Sequence, residues 1–152
     1  NENSILKEIS EMRISDEDQE YLAKLAKRES GYRPHITNQL GYYGLYQFGK
    51  SALEDTGFTK NDFNSTSNQH KAALKLASLN ESRLRPIMDA YIGKEKDGIL
   101  ITKNGIRAAA HLLGAGTVKD WFMGTTKSPL AKKGFVDGNG THIIEYFKLF
   151  SN

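Results

Sequence analysis

Apolar positions along this 152-residue chain recur mostly at three- and four-residue spacing, the period of helices packed on one face. Ile5 and Ile9 mark a short helix over about 4–12. Ser15, followed by Asp16, Glu17 and Asp18, predicts the start of a second helix. The hydroxyl caps its first amides, and the carboxylates sit at the positive end of its dipole. Leu22, Leu25 and Ala26 form its inward stripe, which Glu29 continues at i+7 from Leu22. Residues 31–49 break the period. A short helix over 51–57 ends at Gly57, and Ser67 caps a long one through Ala72, Ala73, Leu76, Ala77 and Leu79. Pro86 divides that helix from a piece ending near Gly93. Asp97 makes a turn, and 98–102 reads as a short strand or extended connection. Asn104 caps an apolar helix that stops at Gly114, 117–124 forms another short helix, and 124–140 is a polar loop. Ile143, Phe147 and Phe150 mark the last helix. The pattern predicts a mainly α protein, with any strand confined to about 36–48 and 98–102.

Length predicts a single domain over 1–152, able to bury roughly 70% of its unfolded surface. A chain that opens at Asn1 without an apolar leader is expected to be an excised domain or a mature form. Basic residues exceed acidic ones by 21 to 18, a net +3, too little and too dispersed to predict nucleic-acid binding. No apolar run approaches the ~18 residues of a membrane span. The absence of cysteine excludes a disulfide framework and a thiolate metal site. His35, His70, His111 and His142 lack zinc-ligand spacing, so neither metal nor cofactor is expected. His111 on its apolar helix reads as a core histidine, and Trp121 as core.

The candidate chemistry lies at 27–49. A carboxylate at the end of an apolar stripe loses hydration, which favours the protonated form a general acid needs. The plain alternative is an ion pair of Glu29 with a nearby Lys or Arg. Tyr32, Tyr42, Tyr43, Tyr46 and Phe48 crowd the turn beside it, with Gly31, Gly41, Gly44 and Gly49. Phe48 and Leu45 read as core, the tyrosines partly as walls of a cleft, and Gln47 as a neutral group for sugar hydroxyl or acetamido groups. Ser30 has no Ser-His-Asp context and reads as a cap or an orienting group for Glu29. Gln69 reads as part of a solvated first turn, with contact to substrate or Glu29 as the alternative.

Glu29-Ser30, Gly41 twelve positions on, and Gly44-Leu45-Tyr46-Gln47-Phe48 together resemble the lytic transglycosylase and goose-type lysozyme superfamily. Ala110 to Val118, "AHLLGAGTV", is similar to that superfamily's Gly-x-Gly-x-Val segment, with His111 and Leu112 where Tyr and Asn are usual. The stretch from Ala108 to Phe122, followed by Asp137 to Phe150 with Gly140-Thr141 and Tyr146, resembles muramidase domains of phage-associated proteins and type VI secretion effectors. The matches span residues 16–150.

The resemblance implies a lysozyme-like, mainly α fold, with a small β or turn-rich segment lining a glycan groove. It implies cleavage of the β-1,4 bond between N-acetylmuramic acid and N-acetylglucosamine in peptidoglycan, with Glu29 as general acid and base. Ser30, Tyr32, Tyr43, Tyr46, Gln47, His111 and Tyr146 are the candidate substrate contacts. A second carboxylate would come from Asp137 or Asp55, with Glu54 and Asp62 also considered. Asp137, in "FVDGNG", reads equally as an ordinary turn residue or an oxygen ligand, the turn being favoured. The C-terminal resemblance leans toward a hydrolase; the alternatives are a transglycosylase forming 1,6-anhydro-muramic acid and an inactive binding module. A monomer acting in the periplasm or cell wall is expected, delivered by secretion or on a phage particle, with an immunity or inhibitor protein as a further partner.

Overall fold

A computed structural model describes all 152 residues. By its internal contacts the chain divides into two compact units, Asn1–Leu76 and Ala77–Asn152. Nine α-helices carry most of it, and the longest, α4 (Thr66–Arg83), contains the division.

In the first unit α1 (Glu2–Ser10) packs on α2 (Asp16–Ser30), burying Ile5, Ile9, Leu22 and Leu25. Each such fully buried aliphatic side chain contributes about 1.5–3 kcal/mol. Ser15 caps α2 as its sequence predicts, its Oγ accepting from the Asp18 amide at 3.1 Å. Gly31 closes the other end in the left-handed region, at φ 61°. Residues 31–49 contain no helix, only single antiparallel bridges of Tyr43 to Thr37 and to Phe48. α3 (Lys50–Thr56) stops at Gly57, and a 3-10 turn (Asn61–Asn64) leads into α4. The cap of α4 is Ser65, whose Oγ accepts from the Asn68 amide at 3.2 Å, and not Ser67. Ser65 is the residue whose backbone is extended (φ −96°, ψ 123°) on leaving the 3-10 turn, as a cap requires.

In the second unit α5 (Arg85–Tyr91) begins with Pro86 in its first turn, where a missing amide costs nothing. The strands β1 (Glu95–Lys96) and β2 (Ile99–Leu100) form an antiparallel hairpin. Asp97 and Gly98 turn it, both at positive φ (54° and 78°), as the mirror-image turns of hairpins require. α6 (Lys103–Leu113) is capped by Thr102, whose Oγ1 accepts from the Gly105 amide at 3.0 Å. Asn104, the expected cap, is already inside the helix; it is buried, and its Oδ1 accepts from Arg107 Nη1 at 3.1 Å. Arg107 and Lys103 also meet Glu81, at 3.2 and 3.3 Å. α6 packs on α7 (Ala115–Met123) and α9 (Ile143–Leu149), where Trp121 and Phe122 meet the Phe147 ring with centroids 4.8 and 5.7 Å apart. The stretch expected as a polar loop holds a short helix, α8 (Pro129–Lys132), and a bridge between Val136 and His142. No helix is long and apolar enough to cross a membrane.

Candidate active site

α2 brings Glu29 to the boundary between dry and wet. Leu22, Leu25 and Ala26 on its stripe are fully buried, Ser30 is nearly so, and Glu29 is half-buried in the last turn. The chain then reverses through two consecutive left-handed residues, Gly31 and Tyr32 (φ 61° and 63°). A tyrosine in that region costs about 1 kcal/mol or more, so its surroundings must hold it there. Ser30 does part of this. Its buried hydroxyl donates to the Ala26 carbonyl at 3.0 Å and accepts from the Arg33 amide at 3.2 Å, while Arg33 Nε donates to the Ser30 carbonyl at 2.7 Å. The Ser30 hydroxyl is therefore committed to the helix end.

Gln69 fixes the turn that follows. It is wholly buried; its Oε1 accepts from the Leu45 amide at 2.8 Å, and its Nε2 donates to the carbonyls of Pro34 and Phe63 at 2.9 and 2.8 Å. A Cβ on Gly44 would lie 2.5 Å from that Oε1, so only glycine lets the amide approach. This corrects the expectation of a solvated Gln69. The readable signal was its face: Gln69, Ala72, Ala73 and Leu76 lie at i, i+3, i+4 and i+7, and all are buried. Gln47, at φ 52°, directs its side-chain amide to the carbonyls of Gly44 (2.9 Å) and Ile36 (3.4 Å).

The tyrosines divide. Tyr46 points inward, 1% exposed, with its hydroxyl 2.6 Å from His70 Nδ1. His70 Nε2 lies 2.9 Å from Glu8 Oε1, and Thr66 donates to the other Glu8 oxygen at 2.9 Å. Tyr32 is also buried. Tyr43 is half-buried, with its hydroxyl 2.8 Å from His35 Nδ1. Its ring helps to line a cavity of about 440 Å³ together with Phe48, Phe58 and Phe63.

The Tyr46–His70–Glu8 chain has a pH consequence. Burial lowers the His70 pKa below the ordinary 6.5, and the nearby Glu8 carboxylate only partly offsets it. His70 is then neutral in the fold, with Nδ1 accepting from Tyr46 and Nε2–H facing Glu8. Burial likewise pushes the Tyr46 phenol well above its usual range. Below pH ~6.5 the unfolded chain binds a proton at this histidine that the folded chain resists. Stability from this group is thus complete above that pH and is lost as pH falls, by at most about 1.4 kcal/mol per pH unit. Urea midpoints from pH 7 to 5 should fall more steeply for the wild type than for His70→Gln. Parallel slopes would show that His70 does not titrate in that window.

In the second unit Asp137 and Tyr146 are both buried and bonded to each other, Tyr146 donating to Oδ2 at 2.6 Å. Asp137 Oδ1 accepts from the amides of Asn139 and Thr141, each at 2.9 Å, so the carboxylate closes an Asx turn. His111 is half-buried in the last turn of α6. Asp55 lies exposed on α3. A second latch ties α7 to α8: Asp120 accepts from Thr125 Oγ1 at 2.5 Å and from the Ser128 amide at 2.7 Å. Those bonds hold its pKa below the usual carboxylate value.

A family model described as "Transglycosylase SLT domain" matches residues 8–129. The matched range includes Glu29, the Gly41–Phe48 turn and the Gly114–Val118 segment, and ends before Asp137 and Tyr146. A search of curated proteins and a search of solved structures found no match.

Proposed function

The chain belongs to the SLT transglycosylase family, whose members are lytic transglycosylases acting on peptidoglycan, and on that premise we propose that Glu29 is its general acid and base. The bond attacked is the β-1,4 link between N-acetylmuramic acid and N-acetylglucosamine. The observation that carries this reading is the placement of Glu29: a half-buried glutamate ends a buried helix stripe and is followed at once by a reversed turn that Gln69 anchors. An acid of this kind must be within hydrogen-bond reach of the leaving oxygen and held there.

In the proposed reaction the protonated Glu29 gives its proton to the glycosidic oxygen as the C1–O bond breaks. The muramic acid's acetamido group supports the positive charge that develops at C1. The Glu29 carboxylate then takes the proton of the same sugar's 6-hydroxyl, whose oxygen closes on C1 to give the 1,6-anhydro ring. No water is consumed and a single carboxylate suffices. Family membership supports the intramolecular route over hydrolysis. Of the candidate contacts in the first unit, Tyr43 keeps a half-buried ring, while Tyr32, Tyr46 and Gln47 support the turn.

Action on peptidoglycan places the work in the periplasm or cell wall. The sequence resemblance to delivered muramidase domains supports arrival by a secretion system or a phage particle, with an immunity protein protecting a secreting cell, and a monomer is proposed.

Mass spectrometry of a purified peptidoglycan digest tests the reaction. Expected are muropeptides lighter by one water than their reducing-end counterparts. Reducing ends instead would replace the intramolecular route with hydrolysis. An undigested polymer would overturn the enzymatic reading altogether.

A further inference from the structure

The cavity beside Tyr43 is not absorbed by the chemistry at Glu29. Its volume of about 440 Å³ falls in the range of small-ligand sites. Its floor is aromatic, with Phe48 and Phe63 packed edge to face at 5.1 Å between centroids and Phe58 beside Phe63. Its rim is charged. Lys60 Nζ sits 5.6 Å from the Tyr43 ring centroid, in cation–π range, and so is held over the opening. Lys50 and Glu54 line the same opening, 3.9 Å apart on successive turns of α3, with side chains 90% and 67% exposed. A pair so exposed is worth little to the fold, and both charges stay available to a ligand.

This combination selects among the parts of the polymer. A sugar ring presents neutral hydroxyls, which leave charges of both signs uncompensated; here Lys50, Lys60 and Glu54 join Thr59 on the polar lining and complement ionised groups. Two ammonium groups and one carboxylate around an apolar floor complement a short chain bearing alkyl groups, carboxylates and a free amine. The peptide stems that branch from the muramic acid have that chemistry.

We propose that this cavity, formed by the turn after Gly41 and by α3, binds the carboxylate-bearing end of a peptidoglycan peptide stem. The proposal deepens the reading of the chain as a peptidoglycan-cleaving enzyme and rests on it. Lys60 and Lys50 take the stem carboxylates, Glu54 its free amine, and Phe58 and Tyr43 its alkyl portions. The enzyme would then prefer strands that still carry their peptides.

Two measurements on the full chain test this. In the first, the isolated tripeptide L-Ala–γ-D-Glu–diaminopimelate is titrated into labelled protein and followed by NMR. Shifts concentrated at Tyr43, Phe58 and Lys60, weakened by salt and lost in the exposed-site variant Lys60→Glu, are expected. Shifts absent or scattered elsewhere would overturn the proposal, whether or not the protein cleaves glycan. In the second, soluble strands with and without their peptides are compared as substrates. Lys60→Glu should raise KM about tenfold on peptide-bearing strands with kcat unchanged, and leave peptide-free strands unaffected. An equal effect on both substrates would assign the cavity to the glycan. Failure of the wild type to cleave either, with tripeptide shifts intact, would overturn the enzymatic reading and not the cavity's ligand.

Discussion

Replacing Glu29 with glutamine should lower the rate of peptidoglycan cleavage by about a thousandfold, within the range that general acid–base groups contribute. Glutamine keeps the shape and hydrogen-bonding reach of the side chain but has no proton to give the leaving oxygen. It can neither recover the proton of the 6-hydroxyl nor carry it between the two half-reactions. The fold should not notice. Glu29 is half-exposed in the last turn of α2, while that helix end is held by Ser30, Arg33 and Gly31. Melting should therefore stay within about 2 °C of wild type. Turnover on soluble strands, with calorimetry on the same samples, makes the comparison. A Glu29→Gln protein within tenfold of wild-type rate would remove Glu29 from the acid's role.

Gln69→Leu should have the largest effect on stability. Leucine fills similar space but leaves the Leu45 amide and the carbonyls of Pro34 and Phe63 without the partner they have now, in a site with no exposed surface. Each buried polar group left unmet costs roughly 1–3 kcal/mol, so the sum is about 4 kcal/mol even with some relaxation. For a chain of this length that is a fall in melting temperature of about 10 °C. Gln69→Glu should do no better, since it keeps the acceptor for Leu45 but loses both donors and brings a charge into the interior. Thermal melts read both variants. A Gln69→Leu protein melting within 2 °C of wild type would mean that the turn is held by other contacts.

The difference between what the sequence conveyed and what it concealed follows from where each signal acts. α2 was legible end to end because Ser15, the acidic first turn, the Leu22–Leu25 stripe and Gly31 are local devices, each fixed by its neighbours. Pro86 and the Asp97-Gly98 turn were legible for the same reason. Two caps were displaced, from Ser67 to Ser65 and from Asn104 to Thr102, because several hydroxyl or amide side chains precede each stripe. The backbone entering the helix then decides among them. α8 was concealed by its polar composition, although Ser128 and Pro129 spell a start. At the candidate site the carboxylate and its position were legible. The fates of the tyrosines were not: Tyr43 and Tyr46 sit in the same glycine-rich stretch, and His70, 24 residues away from Tyr46, bonds the one that turns inward. Gln69 was misread because polarity was taken for exposure, when its helical face already pointed inward.

Two of the three bonds of Gln69, those beyond its local bond to Phe63 six residues away, differ from the carboxylate latches of the second unit in a respect that bears on how the chain acquires its structure. Asp120 reaches 8 residues to Ser128, and Tyr146 reaches 9 residues back to Asp137. Gln69 must find Leu45 across 24 residues and Pro34 across 35. The entropy of closing a loop grows with its length, and contacts between distant residues become worthwhile only after nearer ones have shortened the search. The latches are thus features of early assembly. The turn that follows Glu29 is a late one, set in place by a helix that must already exist, so the chain gains its scaffold before its capacity to cut.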